Sequence, residues 1–457
     1  MDVVLDLARA LRDPDPLLRA HPDHPTHAAN LSSGVAGLAL LFAYLARAEH
    51  AGTPGIRAER VGVEDFLDLA ETCLGIAVEA MAEQPMGSDL YSGFAGITWA
   101  VTHVDNLVAE MTADAAGSTE PGDEFDSGAT ATDDEDDEDD EDDGQFIDQT
   151  LHELLTSGPW HGQYDLISGL VGYGVYAIER LPRPSARACL DAVLDRLEER
   201  AERSDDFVTW FTQPELLPPH QRERCPDGYY NLGLSHGVPG VIALLGLCHA
   251  LGVATERVDR LLDGAVSWLL ARANPPSLVS RYSAAYVPGT SPDHTRAAWC
   301  YGDPGVAAAL RLAARTRGRD DWAERARDLA LAVTRRAEDY CGVTDAGLCH
   351  GSTGLILLDQ HMYADCRDPA FLASARRWVD RTLGMRGPDE AERIAGFRFW
   401  VHDYSIEELS WRPARGLLNG AVGVALTLLA AVSEVAPDWD RILLLSGPPA
   451  SARAAVG

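Results

Sequence analysis

The sequence predicts an all-α fold, an α,α-toroid of seven inner and seven outer helices. Three observations predict it. A Gly-x-x-Gly unit, preceded by a small or polar residue, recurs seven times. Each copy opens an apolar run long enough for a helix. Between the copies lie Arg- and Glu-rich stretches with apolar residues at helical spacing, and there is little of the period-two alternation that marks strands.

The first glycines are Gly34, Gly93, Gly169, Gly237, Gly302, Gly351 and Gly420, separated by 59, 76, 68, 65, 49 and 69 residues. The runs read SGVAGLALLFAYLA from Ser33, SGFAGITWAV from Ser92 and SGLVGYGVYAI from Ser168. They continue with HGVPGVIALLGLCHAL from His236, YGDPGVAAALRLAA from Tyr301, HGSTGLILLDQHM from His350 and NGAVGVALTLLAAV from Asn419. These runs are apolar nearly all round, so each predicts a helix buried on most faces. RVDRLLDGAVSWLLARA (257–273) and DDWAERARDLALAVTRRAED (320–339) each carry one apolar and one wet face, as outer helices do. Inner helices that all enter from one end bring the glycine loops to a common mouth. There glycine permits close backbone packing, and the helix N-termini direct partial positive charge inward. An open solenoid built from the same helix pairs is the alternative, and the irregular spacing does not decide between them.

The 457 residues are read as one toroidal domain, 1–457, interrupted by an acidic insert over 110–147. From Glu110 to Asp143 there are 17 acids and no Arg or Lys, including the unbroken run DDEDDEDDEDD at 133–143. With almost nothing apolar to bury, this insert is expected to be disordered. The net charge of −33 opposes nucleic-acid binding, which needs a basic face. No charge-free apolar run is long enough for a membrane span. The opening MDVVLDLARALRDPDP has no signal-peptide pattern, so a cytoplasmic protein is expected.

Eight cysteines are spread from position 73 to 366, unlike a small disulfide-stapled domain, and most read as small buried residues. Three loops stand apart because they carry metal-type side chains. These are His236 in NLGLSHGVPG, Cys300 in RAAWCYGDPG, and the adjacent Cys349 and His350 in LCHGSTG. Converging loops can bring Cys300, Cys349 and His350 together. Two Cys and one His leave one tetrahedral position open, as a catalytic Zn2+ requires, and the chain has no C-x-x-C pair of the structural kind. Adjacent Cys349 and His350 can reach one ion only from a non-helical turn. A Cys300–Cys349 disulfide is the rival reading, disfavoured in a reducing compartment.

The motifs WCYG, CHGxxG and SHGxxG, with the SGxxG repeats before them, resemble those of the lanthionine synthetase C-like family from about Leu31 onward. The resemblance implies the toroid and a zinc ion held by Cys300, Cys349 and His350. It implies a cyclase that adds peptide Cys thiols to dehydroalanine or dehydrobutyrine, closing lanthionine or methyllanthionine thioether rings. A dehydrated precursor peptide would be the substrate. A separate dehydratase is expected, because the repeats begin at residue 33. Family positions also fall on Asp165 in YDLISG, on His236, on Arg296 and on Tyr301. His236 would be the general acid and Asp165 would orient or deprotonate. Arg296 and Tyr301 would position groups or stabilise developing negative charge. Read without the family, Asp165 and Arg296 fit equally well as helix caps or as a mutual pair, and Tyr301 as a packed aromatic. The fifth repeat departs from the pattern with Asp303 and Pro304, and the acidic insert lies where cyclases can carry an extra small domain. Four other readings stay open: a prenyltransferase-like toroid, a toroidal glycoside hydrolase, an enzyme that adds glutathione or another thiol, and a non-catalytic zinc-stabilised binding module.

Overall fold

The computed structural model describes residues 1–20, 25–117, 143–388, 390, 392–403 and 408–454. Seven inner helices follow the seven glycine loops: Val35–His50, Phe94–Gly117, Leu170–Arg180, Val238–Ala250, Asp303–Arg317, Ser352–Cys366 and Ala421–Val432. The first six are each backed by the next long helix in the chain: Phe66–Glu83, Asp143–Thr156, Pro184–Arg200, Thr255–Leu270, Asp320–Thr334 and Pro369–Gly384. The seventh outer helix comes from the other end of the chain. Asp2–Leu11 packs on Ala421–Val432, with Val4, Leu5, Leu7, Ala8 and Leu11 buried. Burial follows the patterning. Every residue of Leu170–Arg180 is buried, whereas Thr255–Leu270 buries one face from Val258 to Leu269.

The second glycine of each repeat is where neighbouring repeats touch. A Cβ added to Gly96 would meet Leu31 Cβ at 3.1 Å, one on Gly172 would meet Leu90 Cβ at 3.1 Å, and one on Gly305 would meet Leu234 Cβ at 3.2 Å. Likewise Gly423 faces Leu348 Cβ at 3.0 Å, and Gly37 faces Leu417 Cβ at 3.3 Å. In each case the side chain three residues before one repeat's first glycine seats on the next repeat's second glycine. The last contact joins the seventh repeat to the first. The helix pairs therefore form a closed ring and not an open solenoid.

A belt of backbone hydrogen bonds ties the loops at the mouth. Ser235 N donates to Cys300 O (3.3 Å), Cys300 N to Cys349 O (3.2 Å) and Cys349 N to Leu418 O (2.8 Å). Leu418 N then donates to Ser32 O (3.2 Å) and Ser32 N to Tyr91 O (3.0 Å). All of these residues stand two places before a first glycine. The repeat thus fixes a common register for the loops, so chemistry placed at that position in two repeats becomes adjacent in space.

Both ends of the 110–147 stretch are helical rather than disordered: one helix runs on to Gly117 and the next starts at Asp143. Residues 118–142 lie outside the described residues. Strands are few and short. The longest pair, Phe399–Asp403 with Glu408–Arg412, is antiparallel and precedes the seventh inner helix. Among the described residues no helix is long and apolar enough to cross a membrane.

Candidate active site at the mouth of the ring

Cys300 and Cys349 occupy the same register of successive loops and are linked by the Cys300 N to Cys349 O bond. His350 is the next residue, in the turn before helix Ser352–Cys366 and therefore outside helical geometry. The ligand atoms of Cys300, Cys349 and His350 all lie within 4.8 Å of one another. A tetrahedral zinc with Zn–S bonds of about 2.3 Å needs donors about 3.5–4 Å apart, so the trio fits one ion with small adjustment. Both cysteines are free thiols, which removes the disulfide reading for this structure. Cys300 is buried, while Cys349 and His350 are half-buried.

The electrostatics of the trio suit a metal. A hydrogen bond from Cys349 holds the Cys300 thiol well below the ordinary range. Burial opposes this, and His350 and the Arg296 guanidinium assist it. Cys349 is pushed up by the same hydrogen bond and by burial. One thiolate is thus stabilised already by the protein alone, and thiolate is the form that binds zinc.

His236 stands one place before its first glycine, in the loop next to that of Cys300. Its Nδ1 lies 2.5 Å from Asp165 Oδ2, and the other oxygen, Oδ1, accepts from Ser168 N at 2.8 Å. Asp165 is buried, whereas the His236 side chain is 39% exposed. Burial pulls the imidazole pKa down. The Asp165 carboxylate, through its hydrogen bond and charge, outweighs this, and the result lies above the ordinary value. Asp165 therefore both closes its own loop and orients a histidine of the next. It does not pair with Arg296, whose charge instead acts on the two cysteines.

Tyr301 lies beside His236, with ring centroids 6.2 Å apart and planes inclined by 27°. Its hydroxyl accepts from Asn231 Nδ2 at 3.1 Å. Burial raises its pKa above the ordinary value, so it stays a neutral hydroxyl. The mouth thus gathers the residues singled out in the sequence: Cys300, Cys349 and His350 cluster within reach of the Arg296 charge, and Asp165 holds His236, which lies beside Tyr301.

The lanthionine synthetase C-like protein family model matches residues 25–444. The chain belongs to this family. Nisin biosynthesis protein NisC from Lactococcus lactis subsp. lactis is 23% identical over 202 residues, which is 42% of this chain and 47% of that relative. The aligned stretch thus spans about half the length of the curated relative. A solved structure of nisin cyclase superposes with a TM-score of 0.67 at 17% identity, over 94% of this chain and 97% of that one, which shows a shared fold.

Three residues that shape the site in this lanthionine synthetase C-like chain escaped the motif reading. Asn231, buried, accepts from Gly233 N at 2.9 Å and holds the Tyr301 hydroxyl. Gly233 lies under Tyr301: a Cβ there would sit 2.6 Å from Tyr301 Cδ1 and 2.6 Å from Cys300 O. Asp345, also buried, accepts from Gly347 N and from Trp400 N, both at 2.8 Å, and so braces the turn before Cys349 against the Phe399–Asp403 strand. A signal existed in the tripeptides Asn-Leu-Gly and Asp-Ala-Gly, which share an Asx residue two places before a glycine.

Proposed function

We propose that this chain is a zinc-dependent lanthipeptide cyclase. It adds Cys thiols of a dehydrated precursor peptide to dehydroalanine or dehydrobutyrine and forms lanthionine or methyllanthionine rings. A separate dehydratase supplies the substrate. The observation that carries this reading is the meeting, at one mouth, of a Cys2His donor set and an oriented His–Asp pair. Membership of the lanthionine synthetase C-like family supports this reading.

Cys300, Cys349 and His350 would hold the ion. Bound there, zinc would supply positive charge that favours the thiolate form of an incoming thiol, a form scarce at neutral pH for a free thiol of pKa about 8.5. When the sulfur adds to the β-carbon, the C=C electrons move toward the peptide carbonyl and leave an enolate. One proton must then reach the α-carbon to balance the one lost from sulfur. His236 is placed to deliver it. Asp165 holds Nδ1, which leaves Nε2 as the working atom, and its carboxylate favours the charged imidazole. Tyr301, kept neutral and tethered by Asn231, can donate to the enolate oxygen. Arg296 lends positive charge beside the cysteines, where negative charge accumulates.

His236→Asn separates proton delivery from metal holding. The variant is expected to retain its zinc while cyclisation of a dehydrated peptide slows by about 10²–10⁴, the usual worth of a positioned acid. Alkylation of unreacted thiols followed by mass spectrometry counts the rings. Loss of zinc in step with activity would make His236 a ligand or a support. A wild-type rate would pass the proton to another group, Tyr301 first.

A further inference from the structure

The bore of the ring is not empty below the mouth. After the seventh inner helix the chain turns into a short 3-10 helix, Asp438–Leu443. Trp439, Ile442, Leu443, Leu444 and Leu445 are all at most 1% exposed. At one end Asp438 pairs with Arg47, near the C-terminus of the first inner helix, at 3.2 Å. Deeper in, Asp440 meets His361 at 2.5 Å, and Arg311 donates to Leu445 O at 2.9 Å. The segment therefore enters from the end opposite the glycine loops and runs up the bore as a plug.

Its top reaches the candidate metal centre. Two consecutive carbonyls of the plug are taken by two buried side chains of the mouth loops. Tyr91 Oη donates to Ile442 O at 2.6 Å, and Trp299 Nε1 donates to Leu443 O at 3.0 Å. Trp299 immediately precedes Cys300. Its Cβ also lies 3.7 Å from the point where Gly354, the second glycine of the Cys349–His350 repeat, would carry a side chain. Trp299 thus sits in the Cys300 loop, packs on the first turn of the helix that follows Cys349 and His350, and hangs from the plug. Tyr91 stands in the same register as the two cysteines, two places before Gly93, and its backbone carbonyl is part of the same belt, accepting from Ser32 N at 3.0 Å.

We propose that Trp299 and Tyr91 are positioning residues for the metal centre. By bonding to Leu443 O, Trp299 sets the height of the Cys300 loop above the plug; Tyr91, bonded to Ile442 O, sets that of its own loop, which the backbone belt ties to Cys349 through Ser32 and Leu418. The 439–445 segment then serves as the floor of the site. It closes the bore beneath the donors. Groups that orient metal ligands without touching the ion typically change metal affinity by about 10–100-fold when removed.

The inference rests on the zinc reading, and the test keeps the two apart. Zinc affinity of the full chain is measured by competition with a chromogenic chelator. The proteins compared are wild type, Trp299→Phe and Tyr91→Phe, each variant removing only a donor, and Tyr44→Phe, which removes a buried hydroxyl bonded to His103 Nε2 at 3.0 Å. Trp299→Phe should weaken zinc binding by about 10-fold or more, and Tyr91→Phe in the same direction. Tyr44→Phe should lower the melting temperature but leave zinc affinity at the wild-type value. Should Trp299→Phe fail to fold, Tyr91→Phe decides alone. If both variants bind zinc like wild type, the positioning role is wrong while the cyclase reading stands. If Tyr44→Phe weakens zinc as much as they do, the effect is general loosening and the role is again wrong. If wild type itself takes up no zinc, both readings fall together.

Discussion

Gly233→Ala perturbs the site without altering any reactive group. The new Cβ would sit 2.6 Å from Cys300 O, 2.6 Å from Tyr301 Cδ1 and 2.7 Å from Tyr301 Cε1. Ordinary contacts begin near 3.4 Å, so something must move by nearly 1 Å. Cys300 O is held by Ser235 N in the belt, which leaves the Tyr301 ring as the softer element. Overpacking of this kind costs about 1–3 kcal/mol. Swinging the ring away also breaks the Asn231–Tyr301 bond, worth about 0.5–1.5 kcal/mol. The lower unfolded-state entropy of alanine returns about 0.4–1 kcal/mol. The net destabilisation is therefore about 0.5–4 kcal/mol. Unfolding entropy of about 2.1 cal/mol/K per residue makes one degree worth roughly 1 kcal/mol in a chain this long, so Tm should fall by about 0.5–4 °C. Gly75→Ala is the control: it lies within helix Phe66–Glu83 with nothing near its added Cβ, and it should raise Tm slightly. Calorimetry gives the Tm values, elemental analysis should show zinc retained in Gly233→Ala, and ring counting should show activity falling toward that of Tyr301→Phe. If Gly233→Ala melts at or above wild type and cyclises at full rate, the packing of Tyr301 on Gly233 is not what holds the ring in place.

Purified protein should carry about one zinc per chain by elemental analysis, falling sharply in Cys300→Ala and Cys349→Ala; full retention in both would reject the ligand set. Asp165 raises the His236 pKa, so Asp165→Asn should shift the alkaline limb of the rate–pH profile to lower pH, and an unmoved limb would detach His236 from that limb. The linked stability has a definite sign. With the folded pKa raised, the pair's contribution is fully present below the unfolded value of about 6.5 and is lost as pH rises through the folded value. Leu5→Ala, at a fully buried position on Asp2–Leu11, should cost about 2–5 kcal/mol and lower Tm by a few degrees. An unchanged Tm would mean that the first helix does not seal the ring.

The sequence alone determined the repeat, the helix count and the cluster of Cys300, Cys349 and His350. Each has a local physical cause. A Cβ at Gly37, Gly96, Gly172, Gly305 or Gly423 would meet the carbonyl oxygen six residues earlier in its own loop at 1.8–2.5 Å and a neighbouring repeat's Leu Cβ at 3.0–3.3 Å, so the loop turn and the ring contact are written as a periodic glycine that can be read without coordinates. Because the loops share one register, Cys300 and Cys349 at equal distances before Gly302 and Gly351 already implied a meeting. Tertiary structure decided what depends on shape across long separations. Asp165 could have joined Arg296 or His236 by residue type; the loop closed by Ser168 aims it at His236. Closure of the ring by Asp2–Leu11 and filling of the bore by 439–445 leave no periodic mark, since an amphipathic helix and a short apolar segment fit many partners equally well. The tether of Tyr301 to Asn231 rests on one side chain crossing between loops, and a single hydrogen bond of that kind has no pattern in the chain to announce it.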